Sequence, residues 1–548
     1  MLPRLTLPPS PAALAAVVAA FVLPGLAGHD LWKTQDAIGL GIVHGMAVSG
    51  DIIVPRIAGM PWLHDQPLYH WFALAMGLTA GKLLGYFIEF HAAARLASGA
   101  FVAAAFALLY AAARDWSGGE TRRTTACGAL LILLGSIGLL VHAHEALPEL
   151  ASLTAMCGAL AALPYATSRP ARAGLAFGVA LGLASLSATW IAPLALGGAV
   201  VAAHLVCPEW RTRAALRFLG IALAAMLLLA LIWPLALALR APDAFAEWWR
   251  ISSRPHENVG QNFRHFFSTA SWFTWPAWPL ALWSAWSLRR RWREPRLFVP
   301  AAAVLAIVLL LIVWGPPDDE NLIPLLGPLS LLAAYGIFTL RRGAFAALDW
   351  FGALTFAVFA GLVWLGYIAM LTGVPAPVAR NFARIAPGYM LALRPLAVGL
   401  ALVLLAGWLY LIFFTRSSPL RSVARWAAGV VLLWGSFALL WMPWVDYQKS
   451  YRSVALELKG KLPARAGCIA ERSLGVSQAA ALDYHGGIRA QPFNPARPAA
   501  CPLLLVQGTP QQERDTPAPP AGARWVKLTE VNRPGDRAER YRLYRLQK

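Results

Sequence analysis

Groups able to move protons or grip phosphate are concentrated in a few short stretches of the chain. Asp36, Asp51, His64 and Asp65 lie with Arg56 in LWKTQDAIGLGIVHGMAVSGDIIVPRIAGMPWLHDQPLYHW, from Leu31 to Trp71. Glu149 follows in HEALPEL, and Arg254, Arg264 and His265 lie in a polar stretch just before Ser271. A carboxylate or imidazole can take a proton from a hydroxyl. An arginine can make the paired contact that a phosphate favours. Each arginine taken singly is better explained as a headgroup-facing or loop residue, so only convergence in space would make a site of them. His142, His144 and Glu145 place two imidazoles and a carboxylate within one turn, a set that can share a metal ion. The His-x-His spacing sends the two rings to different sides of a helix, however, and no metal is assigned. Asp318, Asp319 and Glu320 read more simply as a solvated outer turn than as a cation site.

The elements that must hold these groups belong to a membrane protein. Of 548 residues, 58% are hydrophobic and 14% charged, and the mean hydropathy is +0.55, a balance foreign to soluble domains. Apolar stretches recur from Ala12 to Leu440. In lipid they have to be helices, because the bilayer offers the backbone no hydrogen-bond partners. A net charge of +20 would suggest nucleic acid in a soluble chain. Here it sits mostly in loops: Arg114, Arg122 and Arg123; Arg169 and Arg172; Arg211, Arg213 and Arg217; Arg289, Arg290, Arg291, Arg293 and Arg296; Arg341 and Arg342; Arg416, Arg421 and Arg425. Such clusters mark the cytoplasmic face, and no nucleic-acid partner is expected.

With those anchors, spans are placed near 11–28, 93–113, 122–142, 149–166, 171–187, 190–206, 214–240, 271–288, 297–315, 321–340, 347–373, 391–415 and 421–443. The apolar run from Ala12 to Leu26, after Arg4 and before Ala27 and Gly28, has features of a secretory signal peptide but is read as a retained first span. About thirteen crossings with a cytoplasmic N-terminus put the C-terminus in the periplasm of a bacterial inner membrane. The expected fold is thus an all-α polytopic domain, 1–446, with a first periplasmic loop 29–91 of interfacial helices, followed by a small periplasmic α/β domain, 447–548.

That last domain is expected to open on an amphipathic helix with Tyr447, Tyr451, Val454 and Leu458 on one face, stopped near Gly460. Strands are expected at Cys468–Arg472, Leu503–Gln507, Trp525–Thr529 and Tyr541–Leu546, a helix near Val476–His485, and a flexible loop over Thr509–Gly522. Cys468 and Cys501 could pair in an oxidising compartment, whereas Cys127, Cys157 and Cys207 read as packing residues in apolar segments.

The order of features in the first loop resembles that of the aminoarabinose transferases and protein mannosyltransferases, membrane glycosyltransferases of the GT-C type that use polyprenyl-phosphate sugars. Gln35 and Asp36 stand at that family's acidic pair. Met46, Ser49, Gly50, Asp51, Val54, Pro55, Arg56 and Gly59 match its next segment as written, and His64, Asp65, Gln66, Pro67, Leu68 and Trp71 occupy its last. Glu149 looks like the second acidic position, Gly178–Leu186 like the Gly-rich short span, and Asn321–Pro328 like the Leu-Pro-containing span. Three positions depart: Gln35 cannot ionise, Asp65 stands where the family has a lysine, and Ala188 replaces another.

The resemblance implies transfer of a sugar from an undecaprenyl-phosphate-type donor to a periplasmic-side acceptor, such as lipid A or another glycolipid. The family includes members without a catalytic metal, so no cofactor is assigned beyond the lipid-linked sugar that serves as co-substrate. Asp36 is the first candidate for the base or for positioning the acceptor, and Glu149 the second. Arg56, Arg254, Arg264 and His265 are candidates for the phosphate, with Asp51, His64 and Asp65 in acceptor or supporting roles; Asp51 also suits a structural cap. Trp272, Trp275, Trp278, Trp283 and Trp286 could stack on a sugar, though interfacial anchoring explains them more simply. Two rival functions remain: a flippase for a lipid-linked sugar, against which stands the lack of a visible internal repeat, and a binding subunit without catalysis, which Gln35, Asp65 and Ala188 favour.

Overall fold

The computed structural model describes residues 7–32, 35–84, 87–255, 257–416, 418–463, 467–497, 499–509, 511–512, 524–536 and 538–547. Arg4, Lys33 and Thr34, and most of the loop expected over Thr509–Gly522, lie outside them.

Among the described residues, six helices are long and apolar enough to cross a bilayer: Phe90–Trp116, Arg213–Arg240, Pro295–Trp314, Arg342–Thr372, Pro395–Phe414 and Pro419–Leu440. They make the chain a multi-pass membrane protein, and they coincide with the spans expected near 93–113, 214–240, 297–315, 347–373, 391–415 and 421–443. Pro395–Phe414 buries only Ala401 and Trp408, as a helix does whose solvent is lipid. Pro419–Leu440 instead runs through the bundle, with Trp426 and Trp434 among its buried residues.

Other expected spans are shorter or interrupted, and prolines account for two of the breaks. The segment 271–288 is divided at Pro276 into Val259–Phe273 and Ala277–Ser287. The segment 321–340 starts as a 3₁₀ turn, Asp319–Leu325, that contains Pro324, and becomes α-helix only over Leu326–Tyr335. Proline removes the donor that a continuous ladder needs. The Gly-rich helix Pro170–Ser185 packs backbone to backbone on Arg213–Ala230, where a Cβ on Gly178 would lie 2.2 Å from the Ala222 carbonyl oxygen. Arg421 and Arg425, expected as a basic loop cluster, have a structural partner. Their guanidinium groups lie 2.6 and 3.2 Å from one oxygen of the buried Asp349, a pairing that offsets the cost of removing that carboxylate from water.

The loop 29–91 holds the helix Gln35–Ser49, a small hairpin of β1 (Arg56–Ile57) and β2 (Met60–Pro61), and the helix Leu68–Leu84. The first helix is not the surface element expected of an interfacial segment. Nine of its residues are buried, Asp36 and Met46 included, because the rest of the protein closes over it.

After the last span, Met442–Lys449 and Arg452–Lys461 precede a sheet of five strands: β3 (Ile469–Arg472), β4 (Ala490–Pro492), β5 (Leu503–Gly508), β6 (Trp525–Val531) and β7 (Arg540–Leu546). The order is β4-β3-β5-β7-β6, parallel among the first three strands and antiparallel beyond. The short β4 has no counterpart among the expected strands. Two expectations for the opening helix need correction. Tyr447 belongs to the preceding helix, so Tyr451, Val454 and Leu458 are buried without it, and the helix runs through Gly460 to Lys461. Val476–Gly486 packs on the helix Gln35–Ser49, joining this region to the first loop. Cys468 and Cys501 form a disulfide, and Cys127, Cys157 and Cys207 are buried thiols.

Candidate active site

Helix geometry separates the two residues at the start of Gln35–Ser49. Neighbours in sequence point about 100° apart, so Gln35 and Gly39 face a cavity while Asp36 faces the bundle. Asp36, the first candidate base, is 2% exposed, and Arg95 from the helix Phe90–Trp116 is fully enclosed. Asp36 accepts from Arg95 Nε at 3.0 Å and Nη2 at 2.8 Å, and its Oδ1 also accepts the Ala146 N–H at 2.9 Å. Burial raises the carboxyl pKa, but the Arg95 guanidinium more than compensates and holds it below the ordinary value. The residue is therefore a buried anion tying three segments together, and it does not line the cavity.

The cavity has a volume of about 770 Å³, within the ordinary range for small-molecule sites. The turn that Asp36 fixes at Ala146 leads directly into the helix Pro148–Ala162, whose first turn carries Glu149. Glu149 is 8% exposed, lines the cavity, and hydrogen-bonds to no other described side chain. Gly39 allows the close approach of these two elements, since a Cβ there would sit 1.9 Å from the Ala146 carbonyl oxygen.

Asp65, Glu257, Asp318 and Glu320 also line the cavity, so the turn expected to be simply solvated contributes two carboxylates to its wall. Burial pushes the Glu320 carboxyl above the usual carboxylate range, against the opposing pull of His142. Among the described residues, Arg254 is the arginine in this wall, with the His64 imidazole nearby. The Oε1 of the buried Gln66 faces the same space without a hydrogen-bond partner. Trp62, Trp190 and Trp314 supply the aromatic surface. Trp272, Trp278 and Trp286 are instead exposed on the outside of the bundle.

The other candidates do not converge here. Arg56 lies in the β1–β2 hairpin and donates to the Gly59 carbonyl at 3.3 Å, and Arg264 is exposed on the helix Val259–Phe273. His265 faces Asp319 at 3.4 Å. Asp51 accepts from the N–H groups of Ile53 and Val54, as a capping residue does. The imidazoles of His142 and His144 diverge: the first pairs with Glu145 at 2.7 Å, while the second stacks on Trp434 and bonds the Phe21 carbonyl. A separate group, Asp30, Glu89 and His91, has its ligand-capable atoms close together, but Arg452 bridges both carboxylates.

Sequence reading overlooked Arg95 and Glu257, and placed Gln66 in the first-loop motif without giving it a role. Arg95 alone carried a signal, a charged residue inside an apolar span, which marks a structural or functional partner in the interior.

No protein-family model matches the chain. It is 26% identical over 443 residues to the undecaprenyl phosphate-alpha-4-amino-4-deoxy-L-arabinose arabinosyl transferase of Pseudomonas aeruginosa, covering 77% of this chain and 73% of that one. To the transferase of the same name from Aeromonas salmonicida it is 24% identical over 424 residues, 74% of this chain and 71% of that one. The crystal structure of ArnT from Cupriavidus metallidurans bound to undecaprenyl phosphate superposes with a TM-score of 0.68 at 18% identity, covering 97% of both chains. The apo form of that protein gives 0.67, covering 97% of this chain and 96% of its own. The chain has the ArnT fold, and the resemblance read from its first loop agrees with relatives in sequence and in structure alike.

Proposed function

We propose that this chain is a GT-C membrane glycosyltransferase that moves a sugar from an undecaprenyl-phosphate-type donor to an acceptor hydroxyl on the periplasmic side of a bacterial inner membrane. The reading includes about thirteen crossings, a cytoplasmic N-terminus, a membrane domain over 1–446 and a periplasmic α/β domain over 447–548. The single observation that carries the chemistry is Glu149, a nearly enclosed carboxylate without a hydrogen-bonded side-chain partner among the described residues that faces a cavity also lined by Arg254.

In the proposed reaction Glu149 takes the proton of the acceptor hydroxyl as its oxygen attacks the anomeric carbon. The bond from that carbon to the donor phosphate breaks, and the phosphate leaves with its negative charge facing Arg254. Attack opposite the leaving group inverts the anomeric centre. Asp36 serves as a positioning residue, through Ala146, in place of the base role first expected of it. Asp65 and His64 take supporting places beside the acceptor path, while Arg56, Arg264 and His265, outside the cavity wall, have no assigned part in gripping the phosphate.

The cavity is rich in acid, with Asp65, Glu149, Glu257, Asp318 and Glu320 opposite Arg254 among the described residues. Such a wall suits a sugar bearing a protonated amine, the class that names the Pseudomonas and Aeromonas relatives. A glycolipid such as lipid A is the acceptor of choice for an active site opening at the membrane surface.

Purified protein supplied with radiolabelled undecaprenyl-phosphate sugars and a lipid extract tests the reading, comparing wild type with Glu149→Gln and an amino-sugar donor with neutral ones. Transfer by wild type that falls about 10²–10⁴-fold in the variant, with an unchanged melting temperature, is the expected result. A wild type that consumes no donor across the panel would overturn it and favour the binding-subunit reading, to which Gln35 in the cavity wall already lends weight.

A further inference from the structure

The spans Arg342–Thr372 and Pro395–Phe414 are joined on the cavity side of the membrane by residues 373–394. This connector carries Arg380, Arg384 and Arg394 and contains neither Asp nor Glu. Such a composition is unexpected there. Both spans have their basic clusters at their other ends, Arg341 and Arg342 for one and Arg416 for the next, and the bias of inserted helices disfavours cations in a short loop on the opposite face.

Within the connector, Ala376–Ile385 is a helix with no buried residue. Its Phe382 ring anchors it, packing edge-on against Trp441 at 5.1 Å and Trp444 at 4.9 Å. Arg380 and Arg384, one turn apart, are both exposed, as is Arg394. Arg384 donates to the Asn381 side chain at 2.8 Å, and none of the three arginines forms an ion pair among the described residues. Apolar side chains beside them are bare: Val374 is 65% exposed, Met390 90% and Leu396 77%. Arg394 and Met390 also border an open hollow of about 520 Å³ beside Tyr447. The acids of that hollow are engaged elsewhere, Asp446 by the Asp30 N–H and Trp32 and Asp30 by Arg452.

Unpaired arginines next to bare apolar side chains, at the level where two spans leave the bilayer, need one surface that is anionic and apolar within a few ångströms. We propose that the connector 373–394 is a binding surface for the anionic phospholipids of the leaflet on the cavity side. Arg380, Arg384 and Arg394 hold the headgroup phosphates while Val374, Met390 and Leu396 enter the acyl region. The proposal is independent of the transferase reading, since it assigns these residues no part in the cavity.

The full-length protein in phosphatidylcholine vesicles, titrated with phosphatidylglycerol brominated on its acyl chains, tests this, because bromine quenches tryptophans it approaches and Trp441 and Trp444 lie under the connector. Brominated phosphatidylcholine gives the reference, and the lipid preference is the ratio of the two quenching isotherms. Wild type is expected to prefer phosphatidylglycerol, and the preference should fall by about fivefold for each arginine neutralised at low salt. The series runs from Arg384→Gln to the triple variant with Arg380→Gln and Arg394→Gln. The wild-type preference should also collapse in about 1 M salt, where the screening length is about 3 Å. A wild type without preference, a triple variant that keeps it, or a preference that survives high salt would each overturn the proposal.

Discussion

Asp36 and Arg95 form a buried, two-pronged ion pair between the helix that opens the first loop and the first long span, with contacts of 3.0 and 2.8 Å. Arg95 also donates to the backbone carbonyls of Leu26, His29 and Asp30, and Asp36 reaches the Ala146 N–H. The pair thereby ties the entrance of the loop to the turn that presents Glu149.

Breaking such a pair from one side leaves a buried charge uncompensated, at a cost of about 3–5 kcal/mol. Asp36→Asn and Arg95→Met are each expected to lower the melting temperature of the detergent-solubilised protein markedly. The double variant should recover much of that loss, because neither charge then remains. Single variants as stable as wild type would remove the pair from its structural role.

Gly39 makes a second prediction about the same turn. Its missing Cβ leaves room for the Ala146 carbonyl oxygen, which would otherwise lie 1.9 Å away, and backbone cannot swing aside as a side chain can. Gly39→Ala should shift the Glu149 turn and lower transfer by about 10²-fold, the effect of a displacement near 1 Å at a reacting group. The check is a rate measurement on protein whose helical circular dichroism is unchanged.

The disulfide joins the residue just before β3 to the residue pair that precedes β5. Cys468→Ser is expected to destabilise the sheet by about 2–4 kcal/mol, read as faster proteolysis after the last span. In the native protein a maleimide should label no cysteine without reductant. After mild reduction it should label two, since Cys127, Cys157 and Cys207 are buried.

Glu320 carries a pH prediction. Its carboxyl pKa is raised by burial, so the folded state holds that proton more tightly than the unfolded state does. Its contribution to stability is complete below the unfolded value, about 4.3, and is lost as pH rises through the raised folded value. Glu320→Gln should therefore raise the melting temperature at pH 7 and leave it unchanged below pH of about 4. A gain that persists in acid would assign the effect to something other than this ionisation.

The long spans were legible because an apolar run of some twenty residues has one solution in a bilayer. Most elements of the last hundred residues were legible from alternation and turn residues, and the short β4 was not, because three residues ending in proline carry no period to read. The breaks at Pro276 and Pro324 depend on how neighbouring helices satisfy the freed backbone groups, which a local pattern does not encode.

For the site, sequence by itself determined which residues could do the chemistry: Asp36, Glu149, Arg254 and the carboxylates of the first loop were all visible as residue types in plausible places. Tertiary structure alone decided among them. Asp36 and Glu149 are both carboxylates near helix starts, yet one is neutralised by Arg95 from another span and the other is left facing the cavity. Asp318 and Glu320 join that wall because a distant turn folds over it. Whether a carboxylate serves as an anchor or a base depends on which charges and carbonyls arrive beside it, and those arrive from segments far apart in the chain.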